Sequence, residues 1–272
     1  MTVATMAVEP ALPAPASPLP PVPWRRMAWV TWCQHRPALI TVLALSAALI
    51  IVMVTEGLKI HHDYAPLLAC HPGNSASCRD LGSSFGSNDW HVGDAVNIVL
   101  QFGPALTGMF VGVPVLAREL ETGTFRYAWT QGIGRERWII AKLALLGIAF
   151  AVGAAALGQL FSWFFQPFVQ QQDMTPVSAA VFDTHGIAFA AWMLLGFTLG
   201  AFLGMLIRKI VPAMVATLVA YLGLDLLTWQ YLRPRYPVSG LWPMQLVEAG
   251  WLLPLSVLVA AATVWLARHH AA

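Results

Sequence analysis

Charged side chains are concentrated in one short part of an otherwise apolar chain, between residues 117 and 142. This segment holds five of the fifteen Lys and Arg residues and three of the thirteen acidic residues. Acids and bases at this density form charge-assisted hydrogen bonds and ion pairs with a facing protein surface. Long apolar stretches lie on both sides of the segment. We therefore interpret it as a water-exposed connection that serves as a docking surface.

Motifs for two common kinds of catalysis are absent from the sequence. There is no His-Glu-x-x-His pair of the kind that holds zinc in proteases, and no Gly-x-x-x-x-Gly-Lys-Ser/Thr loop that holds nucleotide phosphates. No pair of carboxylates is expected at membrane depth for acid–base catalysis. We therefore do not expect the chain to be an enzyme or to bind a cofactor itself.

The composition indicates a lipid environment. Of the 272 residues, 58% are hydrophobic and 10% are charged, whereas a soluble domain carries about 25% charged residues. The net charge of +2 is small, and no basic patch suggests binding to nucleic acid. A chain with so few charges cannot cover its surface in water, so we expect an integral membrane protein.

Six apolar stretches are long enough to cross a bilayer, which takes about 20 residues per helix. Because backbone groups in lipid must bond within their own segment, the sequence predicts an all-α protein with six transmembrane helices. The predicted spans cover residues 37–55, 95–117, 138–165, 185–207, 210–231 and 249–267. Between spans two and three, the polar residues 118–137 predict a short helical hairpin, which Gly132 and Gly134 interrupt.

The distribution of Lys and Arg predicts the orientation. Eleven of these residues lie on the side that carries the charged segment and both termini, and four lie on the other side. Because positive residues favour the cytoplasm, we place the charged segment and both termini there. The twelve Arg against three Lys are typical of a bacterial genome rich in G and C. The expected location is the bacterial plasma membrane.

The N-terminal region has two parts. Residues 1–23 contain seven prolines and one charge, Glu9, a composition that prevents helix and sheet formation and predicts a disordered tail. Residues 24–36 mix three Trp with three Arg, residue types that favour the headgroup region. We interpret this part as an interfacial helix, and an ordinary aromatic belt at the start of span one is the alternative.

The segment 56–94 is the largest external connection, and we expect a small lid. It contains Cys70 and Cys78, which we expect to form a disulfide outside the cytoplasm. Free thiols are one alternative. A metal site is another, although the spacing of the nearby ligand types matches no standard zinc pattern. These ligand types are His61, His62, Asp63 and His71.

Glycines recur at four-residue spacing within two predicted spans. Gly196, Gly200 and Gly204 share one face of span four, and Gly108 and Gly112 share one face of span two. Small residues at this spacing allow another backbone to approach closely. The pattern predicts helix packing within one subunit, with a contact between subunits as the alternative.

Asp225 is the one acid that we expect well inside a span. A charge in lipid is expensive, so its side chain must face protein or water. It is either a polar point in a substrate path or a structural group that is hydrogen-bonded or ion-paired with Arg233 or Arg235, and both interpretations stay open. The candidate path residues are Asn97, Gln101, Thr107, Tyr221 and Asp225.

The charged segment carries a recognisable motif. Residues 119–124 read acid-x-Glu-x-Gly-Thr, and an Arg-rich turn and Lys142 follow. Over residues 114–142 the chain resembles the permease subunits of type-two ATP-binding-cassette (ABC) exporters. Weaker similarities occur at 182–186, 208–214 and 232–236. With the six-span layout, the resemblance extends over most of residues 24–268.

The resemblance implies a set of partners. Two permease subunits form a homodimer or heterodimer in the membrane, and two cytoplasmic ATPase subunits bind ATP and Mg²⁺ and drive them. The loop after span two and the N-terminal helix contact the ATPase, while spans two and five line the path. The implied coupling residues are Glu119, Glu121, Gly123, Thr124, Arg126, Arg135 and Arg137.

We therefore expect a membrane-spanning transporter subunit, surrounded by lipid, that exports a hydrophobic or amphipathic substrate. Asp225 is a charged residue, which is unexpected in a span that lines a path for hydrophobic cargo. The class of cargo is therefore open. The alternative is an integral membrane enzyme or an anchoring protein that works without an ATPase.

Overall fold

The computed structural model describes most of the chain between Trp24 and His270. The described residues are 24–68, 70, 78, 80–83, 85, 90–122, 135–171, 181–238 and 240–270. Within these ranges the chain is helical and contains no strand. The predicted tail 1–23 and the tip of the predicted hairpin, 123–134, lie outside the described residues.

Six helical segments are long and apolar enough to cross a membrane, which confirms the predicted fold class. We number them spans one to six, and they cover Arg36–Leu68, Trp90–Glu121, Glu136–Gln170, Gly186–Ile207, Ile210–Arg235 and Leu241–His269. The helices that contain them have the bounds Trp24–Leu68, Trp90–Thr107 with Val113–Thr122, Arg135–Gln171, Gly186–Ile207, Ile210–Leu227 and Leu241–His270. Span two includes a π-helical turn at Gly108–Gly112, and span five one at Thr228–Leu232.

The first helix is longer than the sequence predicts at both ends. It runs without interruption from Trp24 to Leu68, with Pro37 inside it, so no break separates the expected interfacial helix from span one. Beyond residue 55 the helix continues because its side chains have partners. Lys59 pairs with Glu56, and the His61 ring stacks on Trp163 of span three. Much of the segment expected as an external loop is therefore helical.

Span four is the centre of the bundle. It contacts spans two, three, five and six, whereas span one packs mainly against span three. In lipid such contacts are stabilised by close van der Waals packing, since lipid chains are as apolar as the side chains. The C-terminal part of span three contributes a fully buried aromatic cluster of Phe161, Phe164, Phe165 and Phe168.

The glycines bring the backbones of spans two and four together. A Cβ atom added at Gly200 would lie 2.1 Å from the carbonyl oxygen of Gly108, and one at Gly196 would lie 2.3 Å from that of Pro104. A Cβ at Gly112 would lie 2.5 Å from the oxygen of Phe197. The prediction of packing within one subunit is confirmed. The π-helical turn of span two lies at this contact.

The two cysteines of the segment 56–94 are joined in the structure as a Cys70–Cys78 disulfide, while Cys33 is free and exposed. We expect alkylation of the purified, unreduced protein to label one thiol and alkylation after reduction to label three. Intact-protein mass spectrometry measures both counts. A Cys33→Ser variant should take up no label without reductant, and labelling of that variant would show free thiols at positions 70 and 78.

Candidate functional site

Glu119, near the C-terminal end of span two, forms an ion pair with a buried lysine. Its Oε1 accepts a hydrogen bond from the Nζ of Lys142 in span three, and the Lys142 side chain is fully buried. The indole Nε1 of Trp138 donates to Glu119 Oε2 at 3.4 Å, and the Lys142 ammonium lies 4.4 Å from the centre of the Trp138 ring. A buried cation is tolerated when it is paired in this way, so Glu119 ties span two to span three.

Glu121 connects the same end of span two to span five. Its Oε2 accepts a hydrogen bond from the backbone N–H of Ile210 at 3.3 Å. Ile210 is the first residue of the span-five helix, whose own N-cap residue Lys209 makes no side-chain cap bond. A carboxylate at a helix N-terminus satisfies a backbone donor and interacts favourably with the helix dipole. Glu121 thus caps span five from a different helix.

A third acid links spans three and six. Glu136, at the start of span three, pairs with Arg268 near the end of span six. We call these five residues the inner charged layer, after the side of the membrane that the Lys and Arg distribution predicts for them: Glu119, Glu121, Glu136, Lys142 and Arg268. Spans two, three, five and six each contribute a side chain or backbone group to it. These bonds connect the end of span two directly to spans three and five, so a displacement of that end would strain or move both of them.

The structure describes only two of the other expected coupling residues, Arg135 and Arg137. Gly123, Thr124 and Arg126 lie outside the described residues, so the predicted hairpin is not seen. Arg135 begins the span-three helix, and Arg137 is exposed on its first turn.

The candidate path residues differ in their surroundings. Asn97 is buried, and its Oδ1 accepts a bond of 3.0 Å from Thr184 Oγ1. Tyr221 is buried against Trp192, with ring centres 5.6 Å apart. Gln101, Thr107 and Asp225 are half-buried. Asn97 and Tyr221 are therefore packed inside the bundle. The other three residues keep accessible surface on spans two and five.

A buried ionic cluster lies at the opposite end of the bundle. Arg233, at the end of span five, bonds to Asp183 before span four and to both carboxylate oxygens of Glu248 in span six. Trp192 Nε1 donates to Glu248 Oε1 at 2.7 Å. The guanidinium lies 4.7 Å from the Phe182 ring.

Most of this cluster was not predicted from the sequence. The expectation that Asp225 is the one acid inside a span is wrong, because span six begins at Leu241 and includes Glu248. Asp225 was also predicted as a possible partner of Arg233; its carboxylate interacts electrostatically with that guanidinium, while the hydrogen bonds of Arg233 go to Asp183 and Glu248. The similarities at 182–186 and 232–236 were the available indication, since they contain Asp183 and Arg233.

Three titratable groups just outside the spans are perturbed by this environment. Burial raises the pKa of Asp183 to about 7, against the opposing effect of the Arg233 guanidinium. Burial also lowers the pKa of His185, which keeps its imidazole neutral, and raises the pKa of Tyr236 to about 12. One guanidinium faces two carboxyl groups here.

Two further patterns occur in the segment 56–94. Residues 82–86 read Gly-Ser-Ser-Phe-Gly, the spacing of a nucleophile elbow, which requires a strand-to-helix turn. Ser84 and Gly86 lie outside the described residues, and the described Phe85 is helical and buried in the aromatic cluster. Among the described residues, no group of three or more His, Cys, Asp or Glu is arranged to hold a metal. His71 lies outside them.

Comparison with known protein families gives a match over most of the chain. A family model described as "ABC-2 membrane transporter related" matches residues 43–233, which include spans two to four and most of spans one and five. No curated protein and no solved structure matches the chain significantly.

Proposed function

Because the chain belongs to the ABC-2 membrane transporter related family, we propose that it is the permease of an exporter powered by a separate cytoplasmic ATPase. ATP and Mg²⁺ bind to that ATPase. The inner charged layer is the observation that supports this proposal most directly. Its acids Glu119 and Glu121 are not explained by the positive-inside bias, and both bond to other spans.

The proposed coupling runs through span two. The ATPase contacts the segment that follows Glu121 and displaces it when ATP binds. Glu119 transmits the displacement to span three through Lys142, and Glu121 transmits it to the start of span five. A partner can shift such an equilibrium only if it binds one conformation more tightly than the other. The energy for the switch therefore comes from the ATPase.

Uncovered apolar faces on spans two and five fit a second permease subunit and a substrate path. On span five, Val211, Val215 and Val219 are exposed at four-residue spacing, and on span two Phe102 and Phe110 are exposed. We infer that a second permease, identical or different, faces these spans. The half-buried Gln101, Thr107 and Asp225 add polar points to a mostly apolar surface, which suits an amphipathic substrate.

The location follows the Lys and Arg distribution. We infer a bacterial plasma membrane, with both termini and the inner charged layer in the cytoplasm and the Arg233 cluster near the outer face. Export, rather than import, is the direction that the resemblance of the charged segment implies.

Co-purification tests the proposed function. We expect affinity-tagged chain, solubilised in mild detergent, to retain an ATPase with a phosphate-binding loop that is encoded beside it. Mass spectrometry of the eluate identifies the partner. If the chain purifies alone while that ATPase stays soluble and unbound, an enzyme or anchor without an ATPase becomes the better interpretation.

Replacing Glu121 tests the coupling residue. We expect Glu121→Ala to reduce the stimulation of ATP turnover by substrate several-fold in a reconstituted complex, since the cap of span five is lost. The loss of one cap costs about 1 kcal/mol, so the protein still folds. Glu121→Gln keeps an acceptor oxygen and should retain more stimulation than Glu121→Ala. Unchanged stimulation in Glu121→Ala would argue against this role.

A further inference from the structure

An apolar groove of about 620 Å³ runs along the outside of the bundle between spans three, four and six. We call it the lateral groove. Small residues alternate with larger apolar ones in its walls: Ala144, Gly147 and Ala151 on span three, and Ala260 and Ala261 on span six. No lining residue belongs to spans two or five, so the groove is separate from the proposed substrate path.

The length of the groove matches one leaflet of a bilayer. Its lining extends from Ile140 to Ala151 on span three and from Ser256 to Arg268 on span six. At 1.5 Å per residue, each wall is about 17 Å long. The hydrocarbon core of a bilayer is about 30 Å thick, so one leaflet supplies chains of about 15 Å.

The walls favour a hydrocarbon occupant. The lining contains two hydroxyl groups, those of Thr198 and Ser256. Thr198 donates to the carbonyl of Leu194 at 3.0 Å, and Ser256 donates to that of Leu252 at 2.8 Å. Both donors are therefore satisfied within their own helices. An α-helix with its side chains is about 10 Å wide, which is wider than the space that small residues leave between two adjacent spans. A single chain of methylene groups is narrow enough to fit.

The end of the groove carries the charge and the aromatic ring that suit a lipid headgroup. Arg268 lines this end together with Trp265, and about half of the Arg268 side chain is exposed. One of its nitrogens donates to Glu136, and a guanidinium has five N–H donors. Basic pockets between spans on the cytoplasmic side bind anionic headgroups, and Trp prefers the interface.

We propose that the lateral groove binds one acyl chain of an anionic phospholipid, with the lipid phosphate at Arg268. The lipid comes from the leaflet on the Arg268 side, which is the cytoplasmic leaflet by the Lys and Arg distribution. It lies between spans three, four and six and acts there as a structural ligand. The proposal does not depend on the ATPase or on the transported substrate.

Native mass spectrometry of the delipidated chain tests this site, with dioleoylphosphatidylglycerol as the anionic probe and dioleoylphosphatidylcholine as the zwitterionic one. We expect one retained phosphatidylglycerol per chain and a preference over phosphatidylcholine of about fivefold, the effect of one basic residue. Ala144→Trp fills the groove and should abolish retention. Ala149→Trp is the matched control, because Ala149 is exposed on the same helix and does not line the groove. It should retain the lipid.

The remaining outcomes separate the parts of the proposal. Arg268→Gln should bring the two lipids to equal retention while a lipid is still bound. Retention by Ala144→Trp at the wild-type level would overturn the site, and so would a wild-type chain that retains no lipid. Equal retention of both lipids by the wild-type chain would overturn the role of Arg268. A change in oligomer mass in Ala144→Trp, without a change in lipid count, would show that protein and not lipid fills the groove.

Discussion

Replacing Arg233 with Met should destabilise the protein more than any other single charge removal that we consider. The substitution leaves the buried carboxyl groups of Asp183 and Glu248 without their cation. Removing one partner of a buried ion pair costs about 3–5 kcal/mol. For a chain of this size we expect the Tm in detergent to fall by about 10 °C. Fluorescence-detected size-exclusion chromatography after heating measures this change.

Two further variants separate the lost charge from lost packing. Arg235→Met is the matched control, since Arg235 is exposed on the same segment and bonds to its own backbone at Tyr231. Its Tm should stay within a few degrees of the wild type. Adding Glu248→Gln to Arg233→Met removes one of the two unpaired charges and should recover part of the loss. A Tm for Arg233→Met equal to that of Arg235→Met would show that the cluster does not stabilise the fold.

Adding a methyl group at Gly200 should force spans two and four apart. The new Cβ would lie 2.1 Å from the carbonyl oxygen of Gly108, which is backbone and cannot rotate away. Overpacking a well-packed core costs about 1–3 kcal/mol or more, and this contact is far shorter than van der Waals distance. We expect Gly200→Ala to lower the Tm by several degrees at least.

Gly223 provides the control for this experiment. A Cβ at Gly223 in span five meets nothing within 4 Å, so Gly223→Ala tests the same chemical change without the clash. Because Ala has the higher helix propensity, its Tm should be equal to or above that of the wild type. Equal values for Gly200→Ala and Gly223→Ala would show that the two backbones are not in contact.

The features that could be predicted from the sequence are those with a local pattern. Continuous apolar runs predict the six spans, and the glycines at four-residue spacing predict the close packing of span four. Helix ends are harder, because contacts between distant residues extend them. The first helix passes residue 55 since His61 stacks on Trp163, about a hundred positions away in sequence.

The buried ionic cluster has no local sequence pattern that predicts it. Asp183, Arg233 and Glu248 come from three separate parts of the chain, and the bonded partners lie 50 and 15 positions apart in sequence. Each residue alone resembles an ordinary polar residue at a helix end. At the opposite end of the bundle, Lys142 similarly reads as one more positive charge of the cytoplasmic loop. Only the packing of span three against span two reveals it as the buried partner of Glu119.

ATP turnover by the neighbouring ATPase, measured in lipid vesicles with and without this chain, tests the central proposal most directly. We expect turnover to rise several-fold when the chain is present. The increase should be lost when Glu119 and Glu121 are both replaced by Ala, provided that the complex still assembles. Turnover that does not depend on the chain, or that the double replacement leaves unchanged in an assembled complex, would contradict the proposal that the inner charged layer couples a separate ATPase to this permease.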